Sequence, residues 1–381
     1  MRNHSQEVAG SEASGGTQPV STERRWTVDR VRRGVAWRAH HAVQSTRDAL
    51  LLPLAAGSGW LSSVFYALAS GAFNREHRGV AYGRRQFPKL ASVSAHHHYQ
   101  LRRNVHRLEK GLIMRPRRAS FGANYIEETV ATYAQLLARR EIDPTAVDDL
   151  ELGWAQDVLT LYFDVVAPSG TIARARDRWA SLQRDVAQGT RVPYLRDLTG
   201  TPPVSYEDLH KLALRRRSVR WYASRSVERD VIDKALEVAT LSPSACNRQP
   251  FEFRIIDAPE LVRRVIAIPL GTAGYGHQVP AVAVIIGKLR AFATERDRHL
   301  IYIDGGLAAM AFLLALESLG LSSVCINWAD LAPQEQEMSR LLNLEPDERV
   351  VMLIGFGYPD PEGMVPYSQK KPLVLFRHFN A

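Results

Sequence analysis

Hydrophobic and polar positions alternate with different periods in the two halves of this chain. From Asn124 to Ala138, Tyr125, Ile126, Val130, Tyr133, Leu136 and Leu137 recur at helical spacing with polar residues between them. That pattern predicts an amphipathic helix. Leu150 to Val166 carries a second such run, and Pro168 and Gly170 part it from a third that extends through Val186. The first half therefore predicts as almost wholly helical.

The second half mixes types. Tyr206 to Leu214 reads as a short helix. Ser226 is an N-cap residue for a helix to about Ala239, whose apolar face is Val231, Ile232, Ala235, Leu236 and Val238. Phe251 to Ile256 predicts a strand, and the β-branched run Ala281 to Gly287 a buried one. Gly305 to Leu319 is an apolar helix ended by Gly320, a usual residue just past a helix end. Ser323 to Ile326 and Val350 to Gly355 complete the strands. Helices interspersed with a few strands make the fold class α+β.

The Pro-rich joint Thr199-Gly200-Thr201-Pro202-Pro203 separates the halves. Three regions are expected: a disordered polar tail over 1–25, a basic and mostly helical domain over 26–200, and a mixed domain over 201–381. The first residues lack the apolar core of a secretory signal. The net charge of +9 is carried by the first half, with 28 Lys and Arg against 19 Asp and Glu in residues 1–200, and 21 against 21 in residues 201–381. A basic half fits nucleic acid, anionic lipid, an acidic partner or a plain solvated surface, and we expect no nucleic acid. Two cysteines, Cys246 and Cys325, exclude a disulfide framework and point to a reducing, cytoplasmic setting.

No charged residue occurs from Ala49 to Asn74. The length could span a bilayer, but Pro53 and Gly57-Ser58-Gly59 divide it. A buried helical hairpin is the expectation, with peripheral membrane contact through 49–74 as the alternative. His96-His97-His98 cannot all face one ion on a helix, and no Cys or carboxylate stands at ligand spacing nearby, so no metal is expected.

Two segments carry chemistry. Arg216-Arg217-Ser218-Val219-Arg220 packs three guanidiniums and a hydroxyl into five residues, a set that suits a phosphate monoester. Alone, it fits a basic helix end equally well. Pro243-Ser244-Ala245-Cys246-Asn247-Arg248-Gln249-Pro250-Phe251 joins a small, polar turn to a strand. Its small residues allow close approach of a flat ring, and Asn247 and Gln249 can each donate and accept. Alone, it too fits an ordinary helix-to-strand turn. Cys246 reads as a small filler in that turn.

The conjunction is more specific. Arg-Arg-Ser-x-Arg, a helix, Pro-Ser-x-x-Asn-x-Gln-Pro-aromatic and a strand, in that order, resemble the nitroreductase family of FMN oxidoreductases. Leu319-Gly320-Leu321, Gly357-Tyr358-Pro359 and the basic segment Ser368 to Leu373 follow in register. The resemblance covers about Tyr206 to Phe379. It implies a mixed, mainly antiparallel sheet flanked by helices, here preceded by a mostly helical N-terminal domain.

The resemblance also implies a homodimer with FMN at the interface and ping-pong hydride transfer from NADH or NADPH, through flavin N5, to a nitroaromatic, quinone or unsaturated metabolite. Arg216, Arg217 and Ser218 would hold the phosphate and ribityl end, with Lys370 or Lys371 as a further cation. Arg220 would sit near the pyrimidine end and steady the charge of reduced flavin. Pro243, Ser244, Ala245, Asn247 and Gln249 would face the ring, typically from the other subunit. Asn327 and Trp328 fall where the family sets a backbone N–H against N5, although the usual Pro-x-Gly loop is absent there. No side-chain acid or base stands out as catalytic.

The run Arg102-Arg103-Asn104-Val105-His106-Arg107-Leu108-Glu109-Lys110-Gly111-Leu112 resembles an N-terminal extension of some nitroreductase-like proteins; a salt-bridged helix end before Gly111 is expected of it, with the lining of a substrate or partner groove as the alternative. Dehydrogenation without nicotinamide is a second enzymatic reading. The reading from another class is a scaffold with a vestigial flavin site, docking on a membrane or a partner through its basic half.

Overall fold

The structure is a computed structural model that describes residues 46–93, 98–184, 186 and 189–380. The expected tail over 1–25, His96 and His97 lie outside them. Residue contacts divide the chain into two compact units, one up to Asn74 and one from Arg75 onward.

In the first unit, helix α1 covers 46–56 and Gly57–Ser58 breaks it. Helix α2 (Gly59–Val64) follows and runs on as a single π-helical stretch, Phe65–Ala69. The hairpin forms as expected, but it is not buried. Leu50, Leu54, Trp60 and Leu68 are exposed, and Ala55 and Phe65 are the buried apolar residues. Two such short helices bury only a narrow stripe against each other. Neither reaches the roughly 20 residues needed to cross a bilayer.

The second unit begins on α3 (Asn74–Val93). Gly83 lets this helix lie directly on the chain at Leu289 and Arg290, where a Cβ would come within 2.8 Å of a backbone carbon. Arg75–Asp330, Glu76–Arg298 and Tyr82–Glu345 fasten its polar side. Then come α4 (Tyr99–Leu112), α5 (Ile126–Ile142), α6 (Asp149–Val165) and α7 (Gly170–Ser181). Their apolar faces close one core around Leu101, Val105, Leu108, Ile126, Tyr133, Leu152, Leu159 and Trp179. Gly111 lies inside α4 rather than after it. The Phe121 ring occupies the space its side chain would take, 2.1 Å from a Cβ position.

The Thr199–Pro203 joint is irregular chain leading to α8 (Tyr206–Arg215). Helix α9 spans Arg229–Thr240, starting later than the Ser226 cap predicted. Glu228 is the extended residue before the helix, and Arg225 and Tyr358 hold its side chain. Strands β1 (Phe251–Ile256), β2 (Ala281–Lys288), β3 (Ser322–Ile326) and β4 (Glu348–Gly357) form one antiparallel sheet in the order β1-β2-β4-β3. Helices α10 (Pro259–Ile266), α11 (Leu300–Ser318) and α12 (Ala332–Leu342) complete the unit.

Successive side chains of a strand point to opposite faces. Ala281, Ala283 and Ile285 accordingly share a core with α9 and α11, through Ile232, Phe312 and Leu316. Val282, Val284 and Ile286 share another with α10 and α12, through Val262, Val265 and Met338. Both faces of β2 are covered, which is why its sequence is continuously apolar. The fold is the α+β one expected, with a helical bundle ahead of the sheet. Helix α11 is apolar all round but only half buried: Phe312 and Leu316 face the core, and Ile303, Leu307 and Met310 remain exposed.

Candidate functional site

Helix α8 ends at Arg215, and Arg216 leaves it in an extended conformation. The chain then runs beside β3: Ser218 bridges Ser323 in parallel, and Val219 N–H donates to Ser323 O at 3.0 Å. Tyr222, buried beneath, donates to Val219 O at 2.8 Å. The Arg-rich segment is thus an added edge of the sheet, held by backbone bonds that leave its side chains available.

Those side chains are not equivalent. Arg215 is tied to the buried Glu317 at 2.9 Å. Arg216 and Arg217 have no carboxylate partner among the described residues. Arg216 Nε and Ser323 Oγ are buried without a hydrogen-bond partner there. Buried donors are seldom left unpaired, so this corner fits an anion that supplies several acceptors. Arg220 lies over the Tyr275 ring at 5.5 Å and donates to Ser218 O at 3.3 Å. Burial pushes the Tyr275 hydroxyl up, and the Arg220 charge opposes it.

The second segment forms a tight loop. Pro243 follows α9, and Cys246, Asn247 and Gln249 all adopt left-handed backbone, with φ of 53°, 51° and 50°. Each such residue costs about 1–2 kcal/mol in an unsupported chain. Four contacts over-determine it. Ser244 Oγ accepts from Gln249 N at 3.0 Å, and Ser244 O accepts from Asn247 N at 2.9 Å. Asp304, buried near the start of α11, accepts from Ala245 N at 3.0 Å. Burial raises the Asp304 carboxyl, and the Ala245 N–H works against it.

The fourth contact comes from the helical bundle. Arg102 of α4 donates from Nε to Asn247 O at 2.9 Å and from Nη2 to Gln249 Oε1 at 3.3 Å. Behind it the buried Glu151 of α6 sits 3.7 Å from Arg102 Nη1 and 3.3 Å from His98 Nδ1. His98, the described member of the His96-His97-His98 run, is therefore a buried partner of a carboxylate. No group of His, Cys, Asp and Glu among the described residues could hold a metal.

Sequence reasoning missed Arg102 as a loop contact. Its signal was the Arg102–Leu112 run, whose partner lies 145 residues away. Of the remaining expectations there, Glu109 accepts from Trp154 Nε1 at 3.0 Å and pairs with His106, and Arg107 lies 3.7 Å over the Tyr125 ring.

One chain does not bring the two segments together. Ser323 stands opposite Phe356 of β4, whereas Phe251, at the end of the loop, stands opposite Gly287 of β2 and so level with Arg349 of β4. They occupy diagonally opposite corners of the sheet, roughly 25 Å apart by strand spacing and rise. Asn327 is exposed at the end of β3, and Trp328 donates to Glu335 at 2.5 Å. Lys370 and Lys371 lie on an arm over 364–380 whose side chains are exposed throughout, and no described contact joins them to Arg216.

Against known proteins, the model described as "Nitroreductase family" matches residues 213–273 and 267–358. A protein named "Putative NADH dehydrogenase/NAD(P)H nitroreductase" from Archaeoglobus fulgidus is 30% identical over 160 residues, 41% of this chain and 88% of that one. Iodotyrosine deiodinase 1 of Sus scrofa is 25% identical over 267 residues, 62% of this chain and 88% of that protein. A solved structure titled as an FMN-dependent nitroreductase, from Clostridium difficile R20291, covers 45% of this chain and 98% of its own, at 25% identity and a TM-score of 0.39.

Proposed function

The chain belongs to the nitroreductase family of oxidoreductases, and from that membership we propose that it is an FMN-dependent enzyme, active as a homodimer, that passes hydride from NADH or NADPH to a small organic acceptor. One observation carries the reading. Arg216 and Arg217, without a carboxylate partner among the described residues, sit with the buried, unpaired Arg216 Nε and Ser323 Oγ at one corner of the sheet, and a strained, over-supported loop sits at the opposite corner of the same chain. A second copy is the economical way to set one wall against the other. Exposed apolar side chains suited to that contact lie on α8 (Tyr206, Leu214), on α11 (Ile303, Leu307) and along the arm (Leu373, Phe376).

In this reading Arg216 and Arg217 hold the phosphate with charged, forked hydrogen bonds, and Ser218 adds a hydroxyl. Arg220 places a fixed cation toward the ring. The loop's Ser244, Ala245, Asn247 and Gln249 orient the ring from the partner, with their geometry set by Arg102 and Asp304. Lys370 and Lys371 reach the phosphate only if the arm folds onto a site. Bound FMN would supply hydride acceptance and donation at one position. The protein's share is orientation, exclusion of water and electrostatics. The names of the relatives span a deiodinase and an NAD(P)H nitroreductase, so the acceptor is assigned as a class of small, reducible organic molecules.

Flavin content is the test. The purified chain is expected to be yellow, to carry about one FMN per subunit, and to oxidise NADH or NADPH with an added quinone or nitroaromatic. A colourless protein that takes up no FMN on reconstitution would overturn the proposal.

A further inference from the structure

A cavity of about 570 Å³ lies behind the loop, between α4, α6, α9 and β1. Its size falls within the usual range for small-molecule sites. Leu236, Ala239, Phe251 and Phe253 give it an apolar lining, and Arg102, Arg248 and Gln249 give it donors.

The charges in this lining do not cancel. Each carboxylate already has partners within the fold. Asp148 caps α6 by accepting from Leu150 N at 2.9 Å. Glu151 faces His98 and Arg102. Glu252 pairs with Lys288 and Arg254, both at 2.6 Å. Arg248 differs. It is 6% exposed, yet no carboxylate lies within ion-pair distance among the described residues, and its Nε has no hydrogen-bond partner there. Its guanidinium donates to Ala245 O at 3.2 Å, meets the Cys246 thiol, a neutral partner in its ordinary state, and lies 5.0 Å over the Phe292 ring.

Two acids feel its charge at longer range, and both are engaged: Asp297 by Arg296, and Asp304 by the Ala245 N–H. Arg103 adds repulsion. Burial therefore lowers the Arg248 pKa rather than raising it. A buried charge without a counter-charge is costly, and a bound anion removes that cost.

We propose that this cavity binds an organic anion, a carboxylate with an apolar or aromatic body, with the carboxylate on Arg248 and the body against Phe251, Phe253 and Leu236. The cavity is built by one chain, so the proposal does not depend on the flavin reading. Because Gln249 also lines it, an occupant would touch the loop assigned to the cofactor.

Calorimetric titration of the full chain, both as purified and stripped of any flavin, decides the matter. The probes are 1-naphthylacetate and its neutral amide. The acid is expected to saturate with a Kd below about 1 mM, and the amide to bind at least about tenfold more weakly. Arg248→Gln should bind the two alike, Arg248→Lys should keep a preference for the acid, and Thr240→Trp, at the cavity's exposed rim, should weaken both. Equal affinity for acid and amide in the unaltered chain would overturn the proposal, as would an absence of saturation or an Arg248→Gln variant with undiminished acid binding. If Arg248→Gln does not fold, the acid-to-amide ratio and the Thr240→Trp variant still decide. A chain that prefers the acid yet takes up no FMN would retain this site and refute the flavin reading.

Discussion

Arg215, Arg216 and Arg217 are identical in chemistry and adjacent in sequence, and the structure gives them different work. Arg215 belongs to the fold through Glu317; Arg216 and Arg217 have no such partner among the described residues. Replacing Arg216 and Ser218 together with Ala is therefore expected to raise the Kd for FMN by at least about tenfold to a hundredfold, the loss of one or two charged hydrogen bonds. Flavin fluorescence titration checks it, and unchanged affinity would refute the phosphate assignment. Arg215→Ala should instead lower stability and leave FMN affinity near its original value. Arg102 acts at a distance from any ligand. Arg102→Ala releases the Asn247 carbonyl and the Gln249 amide, so amide exchange across 243–249 should speed up, and FMN affinity should fall by about tenfold. If exchange in the loop is unchanged, Arg102 does not position it.

At the scale of elements, the join between β1, β2 and β4 rests on a buried ion cluster. Lys288, on β2, pairs with Glu252 of β1 at 2.6 Å and stands 3.9 Å from Glu348 of β4. Burial alone would raise the Glu252 carboxyl, but Lys288 and Arg254 outweigh it and hold the pKa below the usual value. A group whose folded pKa is depressed stabilises the fold at pH above its unfolded value, and that contribution is lost as pH falls. Denaturant midpoints should thus stay level between about pH 6 and 8 and decline below about pH 4.5, with part of the decline absent in Glu252→Gln. Lys288→Met removes one cation from the cluster while Arg254 still pairs Glu252 and Arg290 still faces Glu348, and should cost about 1–3 kcal/mol.

At the scale of the whole molecule, diagonal placement of the two site segments makes a distinctive demand. Arg216→Ala/Ser218→Ala and Asn247→Leu should each abolish tight FMN binding when pure. Co-refolded together, they should recover it in mixed dimers, which contain one site with both walls intact. Recovery of flavin on mixing, read by absorbance after gel filtration, is the expected result. Its absence, with dimers formed, would mean that each chain builds its own site. Removal of the arm from residue 364 onward, which carries exposed Leu373, Leu375 and Phe376, should shift the molecule toward monomer and lower its flavin content together.

The sequence by itself determined the local elements and the chemical inventory. Periodicity marked α5, α6 and α7 of the bundle, and apolar β-branched runs marked the strands, because the side-chain pattern is a local property of each element; α4 was legible only as a charged run. The order of the Arg216–Arg220 and Pro243–Phe251 segments marked the family, because their residue types are demanded by the group they would hold. Element starts were less legible: α9 begins after an extended Glu228, two residues later than the Ser226 cap implies, and the Glu228 side chain is held by Tyr358, 130 residues away. Which arginine is engaged and which is available, how Arg102 reaches the loop, and why Arg248 is buried without an ion-paired acid among the described residues were decided only by tertiary structure. Each depends on partners distant in sequence, and a charge shows whether it is balanced only once the fold has brought its neighbours in.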